Sequence, residues 1–293
     1  MSFFDKRAVA MDRDSVQLGN KKWWTDQTMS YDWKGRSKFE RLTAAWYDDI
    51  DGRFLRAAKL FSDAPNPFTA LIGTDRLAGK RVLEIGCGMG FHSELLARAG
   101  AQLTSIDLSP TSVKSTRKRF DLKGLRGSIL EMDAEAMDFP DGSFDLVWSW
   151  GVIHHSSRTG RIMRGIERVL APTGEARVMV YNLGGMAAYM TIATRYLLGF
   201  WSGKGLDELL WQSTDGYSAR FYSADLLRDQ LATFFDQVDI RILGQEADVV
   251  PLPRFVRPTI LKFIPLKKQR QIVQAHGAYL FAIAKKTIPQ CPS

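Results

Sequence analysis

The ten residues RVLEIGCGMG, numbered 81–90, decide how this chain is built. Val82 to Ile85 form a short apolar run of strand length. It ends in Gly86, Cys87, Gly88, Met89 and Gly90, and FHSELLARAG (91–100) follows with helical spacing closed by a glycine. A buried strand, a glycine-rich turn and a helix make the first unit of an open α/β sheet. The glycines let the backbone turn sharply and come close to a ligand, and the helix start beyond them offers free N–H groups.

The same rhythm continues on the C-terminal side. QLTSID (102–107) reads as a strand, and SPTSVKSTRKRF (109–120) as a helix with Ser109 as cap and Pro110 in the first turn. SILEMD (128–133) and FDLVWSW (144–150) read as strands, RTGRIMRGIERVL (158–170) as a helix and EARVMVYN (175–182) as a fifth strand. SADLLRDQLATFF (223–235) reads as a helix, DQVDIRILG (236–244) as a strand and AYLFAIAKK (278–286) as a last strand forming a hairpin edge. The expected fold is therefore a doubly wound, mostly parallel, seven-stranded α/β sheet with helices on both faces. An N-terminal helical lid over residues 1–77 precedes a main domain over 78–293, with cap insertions at about 183–222 and 245–276. Residues 1–36 show no clear period. From Ser37, the residues Phe39, Leu42, Trp46, Ile50, Phe54, Ala57 and Phe61 predict one long amphipathic helix.

Composition narrows the class. The chain has 293 residues, 45% apolar and 25% charged, and a net charge of +8. Basic residues are scattered rather than striped, so a solvated surface accounts for the charge more simply than a nucleic-acid partner does. Two cysteines, Cys87 and Cys291, exclude a disulfide framework and a cysteine-based zinc site. The N-terminal stretch lacks the apolar core of a signal peptide, and no apolar run has the length of a membrane span, so a cytoplasmic location is expected.

The turn also sorts its ligand. A dinucleotide fingerprint requires G-x-G-x-x-G, but the last position here is Phe91. Glu84 ends the first strand, Asp107 ends the second roughly twenty residues later, and Asp133 ends the third, followed by Ala134 and Glu135. An acidic rim repels a pyrophosphate. It suits a ligand with a sugar, a base and a positive charge.

Taken in order, VLEIGCGMG, SIDLSP, MDAEAMDFPDGSFDLVWSWGVIHH and IERVLAPTGE resemble a class I S-adenosylmethionine-dependent methyltransferase of the methyltransferase-11 type, over about residues 78–182. The resemblance implies a Rossmann-like fold, S-adenosyl-L-methionine as cofactor and a small-molecule acceptor. It implies that Glu84, Gly86, Cys87, Gly88 and Gly90 hold the amino-acid end of the cofactor. Asp107 would take the ribose hydroxyls, Leu108 would lie against the adenine, and Asp133 with Ala134 would read the adenine edge. Trp150 and Gly151 would face the methionine part.

Methyl transfer from a sulfonium is an in-line displacement with a neutral leaving group, so alignment and exclusion of water dominate. A base is needed only where the acceptor carries a proton to be lost. His154 and His155 follow the fourth strand, at the same sheet edge as the glycine turn, and are the catalytic candidates. Adjacent residues point in different directions, so one of them, His155, is expected to face the acceptor. No second histidine lies at metal-ligand spacing, and no metal is expected. His92, just after the turn, is a further residue within reach of the cofactor, though a surface or capping role suits it better.

Tyr31 is a candidate to sit on the sulfonium, and Trp33, Trp46, Tyr47, Tyr189, Trp211, Tyr217 and Tyr222 are further candidates for an aromatic wall; at least half are expected to be plain core. A hydroxyl acceptor of the sugar, phenol or secondary-metabolite type is the first reading. The alternatives are carbon or nitrogen methylation of a quinone-like or lipid acceptor, an RNA-associated methyltransferase, and a non-catalytic cofactor-binding partner. No Asn-Pro-Pro-Tyr signature follows the fourth strand, so no stable nucleic-acid partner is expected. The apolar, basic segment RFVRPTILKFIPLKKQRQIV (254–273) raises a peripheral membrane contact. A monomer or a homodimer fits equally well.

Overall fold

A computed structural model of the chain describes residues 12–32, 35, 37–197 and 205–287. Three helices, α1 (Arg13–Asp26), α2 (Ala44–Ala58) and α3 (Pro67–Ile72), precede the sheet. Then come β1 (Arg81–Ile85), α4 (Phe91–Arg98), β2 (Gln102–Asp107), α5 (Pro110–Lys123), β3 (Ser128–Glu131), β4 (Phe144–Trp150), α6 (Thr159–Val169) and β5 (Leu170–Asn182). The first insertion holds α7 (Met186–Thr191), a π-helical turn (Ile192–Leu197), α8 (Leu206–Trp211) and the two-residue β6 (Phe221–Tyr222). After α9 (Ala224–Ala232) and β7 (Gln237–Leu243), the second insertion holds α10 (Glu246–Val249), α11 (Arg257–Leu261) and α12 (Leu266–His276), and β8 (Tyr279–Lys285) follows.

The strand order is β3-β2-β1-β4-β5-β8-β7, with β6 paired to β5 off that path. All pairs from β3 to β5 are parallel, and β8 runs antiparallel to both β5 and β7. Chain order reverses between β1 and β4, and a crevice at the carboxyl ends of the strands opens at such a switch point. The central strands read as continuous apolar runs because both faces are covered. One core layer gathers Leu83, Ile85, Val147, Ile162, Ile166 and Val178, and the other Val82, Leu103, Phe120, Trp148 and Phe281.

Three expectations are corrected. The aperiodic lead-in contains the helix α1, capped by Asp12, whose carboxylate accepts from the Ser15 amide at 3.1 Å. The long helix from Ser37 starts only at Ala44, because Leu42 has φ 64° and Thr43 caps the Trp46 amide at 3.3 Å. The last strand is not the edge: β8 lies inside the sheet and β7 takes the edge. Among the described residues, no helix is long and apolar enough to cross a membrane.

One buried cation ties the first layers together. The guanidinium of Arg119 on α5 pairs with Asp51 of α2 and with Glu94 of α4 at 2.7 Å, and donates to the Met89 carbonyl at 3.2 Å. Burial alone would raise the Glu94 carboxyl. The charge of Arg119 and hydrogen bonds from Arg98, Arg119 and Lys123 outweigh burial and hold it at about 2.

Candidate active site

A cavity of about 360 Å³ opens where the carboxyl ends of β1, β2 and β4 meet the inner faces of α1 and α2. That is an ordinary size for a small-molecule site. The glycine turn forms its floor. Gly86 (φ 85°) donates its amide to the Ile106 carbonyl at 2.7 Å, and its missing side chain leaves room for Val152. Gly88 (φ 53°) faces open space, with no atom within 4 Å of where a Cβ would stand.

Asp107 ends β2 and ties the turn down. Its two carboxylate oxygens accept from the Gly88 amide at 3.0 Å and the Ser109 amide at 2.9 Å. Burial pushes its pKa up, against the lowering effect of those N–H groups. Each oxygen keeps a lone pair for a ligand hydroxyl. Asp133 accepts from Gln17 on α1 at 2.9 Å and from the Glu135 amide at 2.8 Å. Glu135 in turn fixes the segment after β4, accepting from the Ser156 and Ser157 hydroxyls at 2.7 and 2.8 Å and from the Arg158 amide at 2.9 Å.

Of the residues singled out in the sequence, Gly86, Cys87, Gly88, Asp107, Leu108, Asp133, Ala134, Trp150, Gly151, Tyr31, His92 and His155 line this cavity. Glu84 does not. Its carboxyl lies inside the sheet, accepting from the hydroxyls of Ser93 and Ser105, the latter at 2.6 Å, and its other oxygen has no partner. Burial, only partly offset by those hydroxyls, raises it to about 7. Glu84 therefore braces β1 against β2 and α4 from beneath the turn. Gly90 is likewise a brace, since a side chain there would meet Arg119 and Thr116. Cys87 is buried, and burial raises its thiol well above the ordinary range, so it is no nucleophile.

The two histidines part company. His154 is fully buried, packs on Tyr181 with ring centres 4.1 Å apart, lacks any partner for either ring nitrogen and stays outside the cavity. Its place on the catalytic list is withdrawn on that geometry. His155 faces the cavity. Its Nδ1 lies 2.6 Å from the Ser218 carbonyl, which fixes that nitrogen as the N–H donor and leaves Nε2 with its lone pair. Burial lowers its pKa to about 4, so the ring is neutral near pH 7. His92, expected at the surface, is buried in an aromatic cage that includes Phe68 at 4.6 Å and Trp148 at 5.3 Å.

The aromatic wall differs from the expected one. Trp46 and Tyr47 are fully buried on the inner face of α2, Tyr222 is core, Tyr189 and Tyr217 are exposed, Trp211 lies off the cavity, and Trp33 falls outside the described residues. Tyr31 does line the site, stacked on Phe54 at 4.4 Å. The rest of the wall is Trp24, Trp150, Tyr181 and Tyr279, with Phe54, Phe61 and Phe91, and with Asp215 and Gln245 also in the lining. Gln17, Asn20 and Trp24 sit three and four residues apart on one face of α1, so that face lids the cavity. Asn20 donates to the His155 carbonyl at 2.6 Å, and Trp24 meets the His155 ring edge-on at 5.1 Å. That spacing is the signal in the sequence that reveals them.

The donor set fits a cationic nucleoside. Every ionised side chain in the described lining is a carboxylate (Asp51, Asp107, Asp133, Asp215), with no lysine or arginine. A pyrophosphate would be repelled, whereas a sulfonium is stabilised by carboxylates and aromatic faces. Among the described residues, no group of three or more His, Cys, Asp or Glu side chains is arranged to hold a metal. Asp107→Ala is expected to weaken S-adenosylhomocysteine binding about 100-fold, the loss of two charge-assisted hydrogen bonds. Titration calorimetry on both proteins reads this directly, and an unchanged affinity would remove Asp107 from the ribose site.

Comparison with known proteins agrees. Residues 83–178 match the protein family described as Methyltransferase domain. The ubiquinone biosynthesis O-methyltransferase of Aeromonas salmonicida (strain A449) is 28% identical over 230 residues, 76% of this chain and 94% of that protein. The protein of the same name from Idiomarina loihiensis is 31% identical over 176 residues, 58% of this chain and 69% of that one. The structure of Haemonchus contortus phosphoethanolamine N-methyltransferase 2, in complex with phosphomonomethylethanolamine and S-adenosylhomocysteine, shares the fold: the TM-score is 0.52 at 17% identity, over 81% of this chain and 58% of that one.

Proposed function

The chain belongs to the class I S-adenosylmethionine-dependent methyltransferases, and on that basis we propose that it methylates a hydroxyl oxygen of a phenolic, quinone-type acceptor. One observation carries the reading: the glycine turn and an aromatic chamber share one cavity, and the neutral His155 stands in that chamber with Nε2 free. The names of the relatives, ubiquinone biosynthesis O-methyltransferase, support the acceptor class.

When bound, S-adenosylmethionine supplies an electrophilic methyl group on a leaving thioether. Gly86, Cys87, Gly88 and Asp107 would hold it, and Gln17, Asn20 and Trp24 of α1 would exclude water from the site. Trp24, Tyr181 and Tyr279 offer aromatic surface for a planar acceptor to lie against. His155 Nε2 would accept the hydrogen bond of the acceptor hydroxyl and so orient its oxygen.

Magnitudes decide how far this goes. A phenol titrates near 10, and a ring held at about 4 takes its proton at a cost of about 8 kcal/mol. His155 therefore orients the hydroxyl first and receives the proton only as the C–O bond forms, when that proton has become strongly acidic.

The test is methyl transfer to a catechol with a short alkyl tail, against an aliphatic amine, read by mass spectrometry. A product methylated on oxygen is expected, and exclusive methylation of the amine would sink the reading. His155→Asn keeps a donor for Ser218 but removes Nε2, and is expected to lower kcat about 100-fold while cofactor affinity stays unchanged.

A further inference from the structure

The second insertion presents a face that the catalytic reading does not use. Its inner side is anchored: Leu261 and Val273 pack on Leu60, Val249 and Val250. Gln269 donates to the Leu261 and Ile264 carbonyls at 3.2 and 2.8 Å, and Arg257 to the Val250 and Leu252 carbonyls at 3.1 and 2.9 Å. Ion pairs Lys59–Glu246 and Arg270–Asp63 fasten it to the region of α2. So held, its outer side leaves Phe255 84% and Phe263 82% exposed, with Leu252 and Leu266 also exposed. Two phenylalanines so bare are unusual on a solvent face, and they belong to an anchored segment.

Charge says what covers them. The last acidic residue of the chain is Asp248, while six basic residues lie between 254 and 270. Arg254, Lys262, Lys267 and Lys268 make no ion pair among the described residues, and two of them directly flank the phenylalanines. A second copy packed on this face would set like charges against each other. Apolar rings ringed by free cations match an anionic lipid surface, in which the rings enter the acyl boundary and the cations meet the headgroups.

The location adds a reason for the contact. A second hollow, about 1050 Å³, is lined by Arg254, Arg257 and Pro258 of this segment and by both basic residues (Arg53, Arg56) and carboxylates (Asp32, Asp49, Glu246). It shares Tyr31 and Gln245 with the main cavity. The segment thus borders a hollow that only Tyr31 and Gln245 need part to join to the acceptor chamber.

We propose that residues 252–268 dock the enzyme on an anionic bilayer, so that an acceptor dissolved in the membrane enters through this hollow, past Tyr31 and Gln245. Its second half rests on the quinone-type reading, and its first half does not. The experiment is flotation with vesicles of phosphatidylcholine alone and with 30% phosphatidylglycerol. The proteins compared are wild type, Phe255→Ser/Phe263→Ser and Lys262→Glu/Lys267→Glu/Lys268→Glu, each also assayed on the short-tailed catechol.

Wild type is expected to float only with the anionic vesicles, and both variants to lose at least 10-fold in bound fraction with unchanged turnover of the short acceptor. Equal flotation with both vesicles, none with either, or binding unaffected by the substitutions would overturn the docking face. So would a wild-type dimer, by sedimentation, that the phenylalanine variant makes monomeric. Flotation that behaves as expected while no phenol is methylated would support the face and remove the acceptor reading alone.

Discussion

Gly86→Ala is expected to cost about 3 kcal/mol or more of stability and to abolish cofactor binding. Two independent penalties combine. At φ 85° an L side chain pays about 1–2 kcal/mol of steric cost. A Cβ there would also stand 2.2 Å from Val152 Cγ2 and 3.3 Å from two further Val152 atoms, an overpacking worth about 1–3 kcal/mol. Val152 cannot yield freely, because its carbonyl accepts the His155 amide at 2.9 Å and its displacement moves the chamber. Gly88→Ala is the control. It has the conformational cost at φ 53° but meets no atom, so it should fold; its methyl group enters the cavity and should weaken S-adenosylhomocysteine by at least about 10-fold. Thermal melts and calorimetry separate the two. A Gly86→Ala protein that melts within about 2 °C of wild type would refute the packing argument.

Acidification is expected to leave the protein folded to about pH 5 and then to unfold it abruptly between about 4.5 and 3.5. Burial holds His92 at about 3, His155 at about 4 and His154 well below the ordinary value. In the unfolded chain each titrates near 6.5. Below that value the unfolded state takes up protons that the native state refuses, so stability falls with pH by up to about 1.4 kcal/mol per unit for each ring. Carboxyls raised by burial act oppositely: Glu84 at about 7, Asp248 at about 6, and Asp107. Their stabilisation is present below the unfolded carboxyl pKa and is lost as pH rises through their native values.

From about 6 to 4.5 the raised carboxyls offset much of what the rings cost. Below about 4.5 the unfolded carboxyls are protonated too and the opposition ends; His155 drops out near its native value of about 4, and His92 and His154, joined by Glu94 with its native value of about 2, drive unfolding at up to about 4 kcal/mol per unit. His154→Leu removes one ring with two unsatisfied nitrogens. It should be near neutral in stability at pH 7 and should lower the acid midpoint by about half a unit, measured by circular dichroism. An unmoved midpoint would show that His154 is not a driver.

How well each element reads from sequence follows from what it packs against. β2 and β4 match their expected bounds, because each is bracketed by turn residues, Gly100 and Pro110 around β2 and Gly142 and Gly151 around β4. β5 begins five residues earlier than expected, at Leu170, where a register shift between Phe144 and Leu146 accommodates a stretch that reads as a turn. α1 is illegible as an amphipathic helix because its inward face carries Asn20 and Gln17, which are spent on the His155 carbonyl and on Asp133 rather than on a core. The cofactor half of the cavity is legible, since its residues lie at the ends of consecutive strands. The acceptor half is not: Tyr181 and Tyr279 face each other across β5 and β8, and Asp215 and Gln245 arrive from separate insertions. No local period links residues so far apart. Glu84 shows the limit of a motif, which gives its place in the chain but not that its carboxyl turns inward.

The position of β8 has a consequence for how the enzyme comes into being. The strand latest in the chain inserts between β5 and β7, so β7 has no partner until β8 exists. On the ribosome, the cofactor half can assemble while the edge of β5 stays bare, open to mispairing with another nascent chain. Tyr279 lies on that strand, and the chamber that selects the acceptor closes only with it. Pairing of β7 and closure of the chamber therefore both wait on the synthesis of β8.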